Sequence, residues 1–574
     1  MKRKKMKIFT YLTLAAVLAG CSSLDKMKRN AEDVNYTVTP EVLEAHGGEV
    51  DVNIRVQIPS GYFDRRATLE ATPVLVYDGG ETEFPSYTLQ GDRVEGNAQV
   101  ISRSDGGQVN YENTVPYNEN MRVSDLVIRI TASKGDDQVE FEPYKVAEGV
   151  ISTSEMYAEE GIKSAIGADG FERITPLSKE AQILYLIHRS NVRNSELRKD
   201  EIKAINDFIE EVKETENKNF KGVDISAYAS PDGPIDLNTR LAEAREESAK
   251  SYLARQLRRA SVEEASDDSF FDLRNTPEDW EGFRELVQQS DIADKDAIIR
   301  VLSTHTDPEV REREIKNMAS TYEVLADEIL PKLRRAQMSV NAEVIGKSDE
   351  EISNLASSNP LELNIEEILY AATLTDDKET QLEIYRAAAS QFENDWRTHN
   401  NVGYILYKKG ELNNAKTAFE RANSVKANEP VVMNNLGAIA LREGNIDEAE
   451  EYFDAAAGIG EELDHNLGVV AISKGMYDEA VRYYGNSTSC NAALAKILAG
   501  NYDSALSTLN ANPQEVGLKY YLKAIIGVRT NDSDMMFDNL RTAVELNEEL
   551  KEYAATDMEF AQYFGDATFR SIVQ

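Results

Sequence analysis

The sequence predicts a multidomain chain: an antiparallel β-sandwich, then an α/β domain carrying a helical insertion, then an all-α superhelix of repeats. Three observations lead there. Val50-Asp51-Val52-Asn53-Ile54-Arg55-Val56 alternates apolar and polar residues with period two, as a strand with one buried face does. Between residues 183 and 257, strand-like apolar runs alternate with amphipathic helical stretches. From about residue 362 onward the sequence repeats itself, and such self-similarity outranks local signals. A chain of 574 residues is too long for one core and divides into several domains. Its 41% hydrophobic and 29% charged content is that of folded protein.

The first twenty residues have the three parts of a secretory signal. Met1 to Lys7 is basic, Ile8 to Val17 is mostly apolar, and small residues follow. The apolar run is about ten residues, too short for a stable membrane span. It ends in Leu18-Ala19-Gly20-Cys21, which resembles the bacterial lipobox. The resemblance implies a diacylglycerol on the Cys21 thiol and an acyl group on its amine, and several acyl chains anchor firmly where one is marginal. Ser22-Ser23 follows, with no aspartate directly after the cysteine, which by known sorting rules implies the outer membrane. The lack of a dense acidic cluster there points to the periplasmic leaflet. Residues 21–33 are expected to be a polar tether.

The sandwich is expected over residues 34–145. Further strands are predicted at Ala67–Glu70, Thr72–Val76, Tyr87–Gln90, Ala98–Ser102 and Leu126–Ala132, separated by turn signals such as Asp105-Gly106-Gly107. Gly149 to Ser152 is a possible short strand in what otherwise reads as linker up to about residue 180. An α/β domain is expected over 146–346, with a helical insertion at about 260–333. Its elements are an apolar strand at Ile183–Ile187 covered on both faces, a helix at Ser195–Lys213, a strand at Val223–Tyr228, a helix at Asn238–Leu257 and a strand at Met338–Val344.

Within that domain Ala227-Tyr228-Ala229-Ser230-Pro231-Asp232-Gly233, followed by Asn238, Leu241 and Arg245, resembles the signature of the OmpA-like peptidoglycan-associated family. In that family a carboxylate after the aromatic strand and a later arginine hold the diaminopimelate unit of the cell wall. The resemblance therefore implies a peptidoglycan site at Ser230, Asp232, Asn238 and Arg245. Ser230 stands where the family has Asp, and serine supplies a hydrogen bond but no charge. Asp232, two residues on, is the nearest carboxylate.

Repeats are expected over 347–574. Gly403, Gly410, Ala415, Phe419 and Ala422 recur 34 residues later as Gly437, Gly444, Ala449, Phe453 and Ala456. A third copy runs through Gly468, Gly475, Ala480 and Tyr484, and a fourth through Ala493, Gly500, Ala505 and Leu509. The pattern resembles tetratricopeptide repeats. In this reading the small residues let paired helices approach, the aromatics fill the gap against the neighbouring pair, and the second glycines relax the turns. Stacks of this kind make a concave groove that takes peptides or protein partners.

The net charge of −38 would repel phosphate backbones and argues against nucleic acid as a partner. Of the two cysteines, Cys21 closes the leader and Cys490 lies far away, so no internal disulfide framework is expected. The five histidines are isolated, no zinc-ligand cluster is present, and no nucleophile elbow, P-loop or dinucleotide fingerprint occurs. No catalytic residue, metal or cofactor is expected. The reading is a lipid-anchored scaffold of the bacterial envelope, of a kind resembling Bacteroidetes lipoproteins. It leaves open a surface-exposed or fimbria-associated lipoprotein, and an envelope hydrolase with an unfamiliar site.

Overall fold

A computed structural model describes residues 23–158 and 161–574, so the leader and Cys21 lie outside the described residues. The described chain forms two compact units, one built from the stretch up to Ala168 together with Tyr385–Gln574, the other from Asp169–Ile384. This division differs from the boundaries at 145/146 and 346/347 expected from the sequence. Residues 146–168 belong with the sandwich and the repeats, and residues 347–384 belong with the α/β unit.

The first unit begins with α1 (Ser23–Arg29), followed by β1 (Asn35–Thr39), β2 (Leu43–His46), β3 (Glu49–Ile58), β4 (Thr68–Tyr77), β5 (Gly80–Glu83), β6 (Tyr87–Gly91), β7 (Gln99–Ile101), β8 (Gly107–Pro116), β9 (Ser124–Lys134), β10 (Asp137–Glu140), β11 (Tyr144–Glu148) and β12 (Val150–Ile151). They make two mostly antiparallel sheets, one of five strands centred on β3 and one of seven centred on β4 and β9. The inward residues of the long strands, among them Val52 and Ile54 of β3 and Leu126 and Ile128 of β9, share one apolar core. The stretch expected to be a tether behaves otherwise. Leu24 and Met27 of α1 are buried in that same core, because i, i+3 spacing puts both on one helix face. The two strands expected at 67–70 and 72–76 are a single strand, β4, in which Pro73 is accommodated without a break.

The second unit contains β13 (Ile174–Leu184), α2 (Asp200–Glu214), β14 (Lys218–Tyr228), α3 (Ile235–Arg259), β15 (Phe271–Thr276), α4 (Trp280–Gln289), α5 (Lys295–Thr304), α6 (Pro308–Lys316), α7 (Ala319–Glu328), α8 (Leu330–Leu333), β16 (Arg335–Ile345), α9 (Asp349–Ser358) and α10 (Ile365–Ala371). The sheet order is β13-β16-β14-β15, with β14 and β15 parallel and the other pairs antiparallel. Ile205 and Ile209 of α2 and Leu253 of α3 pack on one face of this sheet. The opposite face is polar, presenting Gln182, Asp224, Ser226, Gln337 and Ser339 around an open depression of about 670 Å³.

Two expectations change here. Ile183 and Tyr185 are buried, but Leu186 and Ile187 lie beyond the end of β13 and are about half exposed, since helices cover only one side of the sheet. The insertion is not wholly helical. β15 falls inside it and pairs with β14 through a short run anchored by Phe271. Helices α4 to α8 form their own core around Phe283, Val287, Ile298 and Leu325.

Helix α11 (Lys378–Gln391) crosses the boundary back into the first unit. Four helix pairs follow in that unit: α12 (Trp396–Lys408) with α13 (Leu412–Val425), α14 (Pro430–Arg442) with α15 (Ile446–Asp454), α16 (Glu461–Ser473) with α17 (Tyr477–Tyr484), and α18 (Cys490–Leu498) with α19 (Tyr502–Ala511). A fifth pair, α20 (Gly517–Arg529) and α21 (Ser533–Leu546), and the terminal helices α22 (Glu549–Ala554) and α23 (Ala567–Val573) complete the stack. The sandwich docks on its far end. Thr153 donates to Glu559 at 2.5 Å, Arg529 holds both Glu559 and Glu44, and Arg122 bonds Thr556 at 2.7 Å.

Candidate functional site: an asparagine ladder on an extended segment

Each helix pair closes on one contact. A Cβ built on Gly403 would stand 2.6 Å from the Phe419 ring, one on Gly437 2.5 Å from Phe453, and one on Gly468 2.5 Å from Tyr484. The aromatic therefore lies over the glycine of its own repeat, closer in than the neighbouring-pair position expected from the sequence. Ala415, Ala449 and Ala480 are fully buried beside these rings. Gly410 and Gly444, at φ +78° and +81°, turn the chain between paired helices in a region that favours glycine.

That packing fixes which side of the first helix of each pair faces inward, and the inward side carries asparagine. Asn401, Asn435, Asn466 and Asn491 each lie at most 2% exposed. Each grips one backbone residue of the segment that leaves the sandwich. The Asn401 Oδ1 accepts the Gly167 N–H at 2.8 Å and its Nδ2 donates to the Gly167 carbonyl at 2.9 Å. Asn435 does the same for Ala165 at 2.6 and 2.7 Å, Asn466 for Lys163 at 2.7 and 2.8 Å, and Asn491 for Ala158 at 2.7 and 3.1 Å. An amide side chain is the one uncharged group that can donate and accept in this paired geometry.

A second set of asparagines ties the rungs together. Asn435 also donates to Asn400 at 2.8 Å, and Asn466 to Asn434 at 2.9 Å. Asn400 and Asn434 in turn reach the carbonyls of Ala165 and Lys163 at 3.3 and 3.1 Å. The Tyr407 hydroxyl donates to the Ile162 carbonyl at 3.1 Å. The segment runs opposite to the order of the repeats. From Lys163 to Gly167 every second residue is held, as the period-two geometry of extended chain requires. Recognition is thus by backbone, with one steric condition: a Cβ at Gly167 would sit 3.0 Å from Arg397 Cγ and 3.2 Å from Asn401 Oδ1.

The residues singled out for a cell-wall site lie together in the second unit, around a residue the sequence did not single out. The Ser230 hydroxyl donates to Asp232, and Arg334 bonds Ser230 through Nε at 3.1 Å and Asp232 through Nη2 at 3.3 Å. Arg245 is 1% exposed, and its guanidinium donates to the carbonyls of Tyr228 at 2.8 Å and Arg189 at 3.1 Å. Burial, and then the charge of Arg334, lower its pKa to about 10. Asn238 donates to the Gly233 carbonyl at 3.1 Å and holds the turn. The serine and carboxylate are thus engaged by Arg334, and Arg245 by backbone. Among the described residues no group of His, Cys, Asp and Glu could hold a metal ion, and no helix is long and apolar enough to cross a membrane. Cys490 is buried, with its thiol pushed up by burial.

The sequence profile of the tetratricopeptide repeat family matches residues 397–429 and 431–459, the α12–α13 and α14–α15 pairs. The C-terminal helices are tetratricopeptide repeats. No curated protein matches the chain. Similar solved structures include a tetratricopeptide repeat protein of Parabacteroides merdae, 15% identical over 37% of this chain and 91% of that one, with a TM-score of 0.29. PilF of Pseudomonas aeruginosa is 15% identical over 38% of this chain and 100% of its own, at 0.28. YrrB, described as a tetratricopeptide protein with an unusual peptide-binding site, is 18% identical over 29% and 94%, at 0.23.

The tetratricopeptide register contained a signal for the ladder. Asn401, Asn435 and Asn466 each precede the close-contact glycine by two residues, and Asn491 precedes Ala493 likewise. Asparagine therefore recurs with the same offsets as the packing residues, and a buried amide in each of four successive first helices, with two in α12 and α14, is unusual enough to mark a polar task.

Proposed function

We propose that this chain is an outer-membrane, periplasm-facing lipoprotein that acts as a non-catalytic scaffold or assembly factor, binding protein partners through its repeats. The observation that carries the reading is the chemistry of one face of the repeats: a row of buried amides that holds an extended peptide by its backbone. Tetratricopeptide repeats support a protein-binding role of this kind. The anchor rests on the lipobox. Only Ser22 separates Cys21 from the first residue of α1. One or two residues reach about 7 Å, so acyl chains on Cys21 would hold the sandwich close to the bilayer surface.

The α/β unit is the second candidate contact, as an OmpA-like domain facing the cell wall. Its strand and helix order, and the grouping of Ser230, Asp232 and Asn238 near Arg245, support that resemblance. A peptidoglycan stem there would have to draw Arg334 away from Ser230 and Asp232. Membrane fractionation and in-cell cross-linking of wild type and Cys21→Ala test the whole reading. Wild type should sediment with membranes in cross-linked complexes, and Cys21→Ala should become soluble. A variant that stays with membranes in high salt, or a wild type that yields no cross-linked species, overturns it.

A further inference from the structure

We propose that the asparagine-lined face of the repeats is a partner site held closed by the chain's own residues 161–168, and that a partner enters by replacing them with an extended segment carrying small residues opposite Asn435 and Asn401. This rests on the scaffold reading and adds the chemistry of the occupant. Six of the eight ladder bonds go to main-chain groups of Lys163, Ala165 and Gly167, which any polypeptide except proline supplies. Side-chain demands are few: Ala165 is 7% exposed, and a methyl at Gly167 would press on Arg397 and Asn401 at 3.0 to 3.2 Å.

The present occupant fits imperfectly. The Ser164 hydroxyl is buried without a hydrogen-bond partner among the described residues. The regular step of two residues per rung also ends at Lys163, since Asn491 takes Ala158, five positions back. Gly161, two positions back, lies hard against this rung, since a Cβ there would fall 2.2 Å from Asn491 Nδ2 and force the amide to move. Besides the ladder bonds, tethering gives the segment a high effective concentration at the groove. A partner segment without a hydroxyl at the Ser164 position would meet the ladder without the first of these defects.

The test uses the full chain and a fluorescent, end-capped peptide reproducing residues 161–168. Gly167→Leu should unseat the tethered segment while leaving every groove residue intact, and Ala165→Pro should do so by removing one N–H. The peptide should bind either variant at least tenfold tighter than it binds wild type, and adding Asn435→Ala should abolish that gain. If both variants fold yet bind no better than wild type, the groove is a closed seam and the proposal falls, while cross-linked partners in cells would still uphold the scaffold reading on other surfaces. If neither variant folds, the segment is a structural strut and the proposal falls as well. If the variants dimerise on size-exclusion chromatography and exclude the peptide, the exchanged segment comes from a second copy of this chain, which also overturns entry by a partner.

Discussion

Replacing Asn435 tests the ladder where it is most connected. Its Oδ1 accepts the Ala165 N–H at 2.6 Å, and its Nδ2 serves both the Ala165 carbonyl at 2.7 Å and Asn400 Oδ1 at 2.8 Å, all with no solvent access at the asparagine. In Asn435→Ala the Ala165 N–H becomes a buried orphan, which costs about 1–3 kcal/mol. The two acceptors lose a donor, although the Ala165 carbonyl keeps a bond from Asn400 at 3.3 Å, so each adds about 0.5–1.5 kcal/mol. The expected loss of stability is therefore roughly 2–6 kcal/mol by the same reckoning, large for a residue on a solvent-free but otherwise polar seam.

Asn435→Asp separates hydrogen bonding from volume. It keeps the acceptor for Ala165 N–H but turns a second oxygen toward two oxygens, in a buried place where a carboxylate is disfavoured and its pKa must rise. A raised folded-state pKa means stability present at low pH and lost as pH rises through that value. Asn435→Asp should thus lose stability between pH 5 and pH 8 relative to Asn435→Ala. Denaturant unfolding followed by amide exchange at Ala165 reads both effects. An Asn435→Ala chain within about 1 kcal/mol of wild type, with the Ala165 amide still protected, would refute the assignment of binding energy to the ladder.

Two further outcomes follow from the packing. Gly437→Ala places a methyl 2.5 Å from the buried Phe453 ring, and overpacking of about 1–3 kcal/mol should exceed the roughly 1 kcal/mol gained in helix propensity; adding Phe453→Leu should cost less than the sum of the two single changes, and strict additivity in thermal unfolding would place the glycine elsewhere. Asp557, whose pKa burial raises to about 6 against bonds from Tyr521 and the Glu559 N–H that lower it, should contribute stability that is full at low pH and lost as pH rises through that value. Asp557→Asn should therefore gain on wild type by about 1.4 kcal/mol between pH 5 and pH 8, and a gap that does not change with pH would show that the carboxyl titrates normally.

Much of the fold was legible because it is written in periodicity. Val50–Val56 alternates in the folded strand as it does in the sequence, and the stripe through Ile202, Ile205 and Ile209 is the buried face of α2. Where the sequence misled, the cause was tertiary. Ser23–Arg29 looks polar because only Leu24 and Met27 need to be apolar to seat so short a helix. β15 is too short to announce itself beside helical neighbours, and becomes a strand through pairing with β14. Arg334 lies 104 residues from Ser230 in the chain, a distance that no local motif spans.

The ladder was hidden for a different reason. A groove that reads backbone imposes little on the sequence of what it holds, so Gly161-Ile162-Lys163-Ser164-Ala165-Ile166-Gly167-Ala168 resembles a linker, small and weakly patterned. The only sequence trace lies on the other partner, in asparagines that keep the repeat period. Period locates them because the same helix that places Gly437 over Phe453 must place Asn435, two residues earlier and about 200° around the axis, on a different side of that helix. Packing and recognition are therefore set by one register. A slip that moved the glycine off its ring would also carry the amide away from Ala165, so the repeats cannot lose their close packing and keep their grip on the segment.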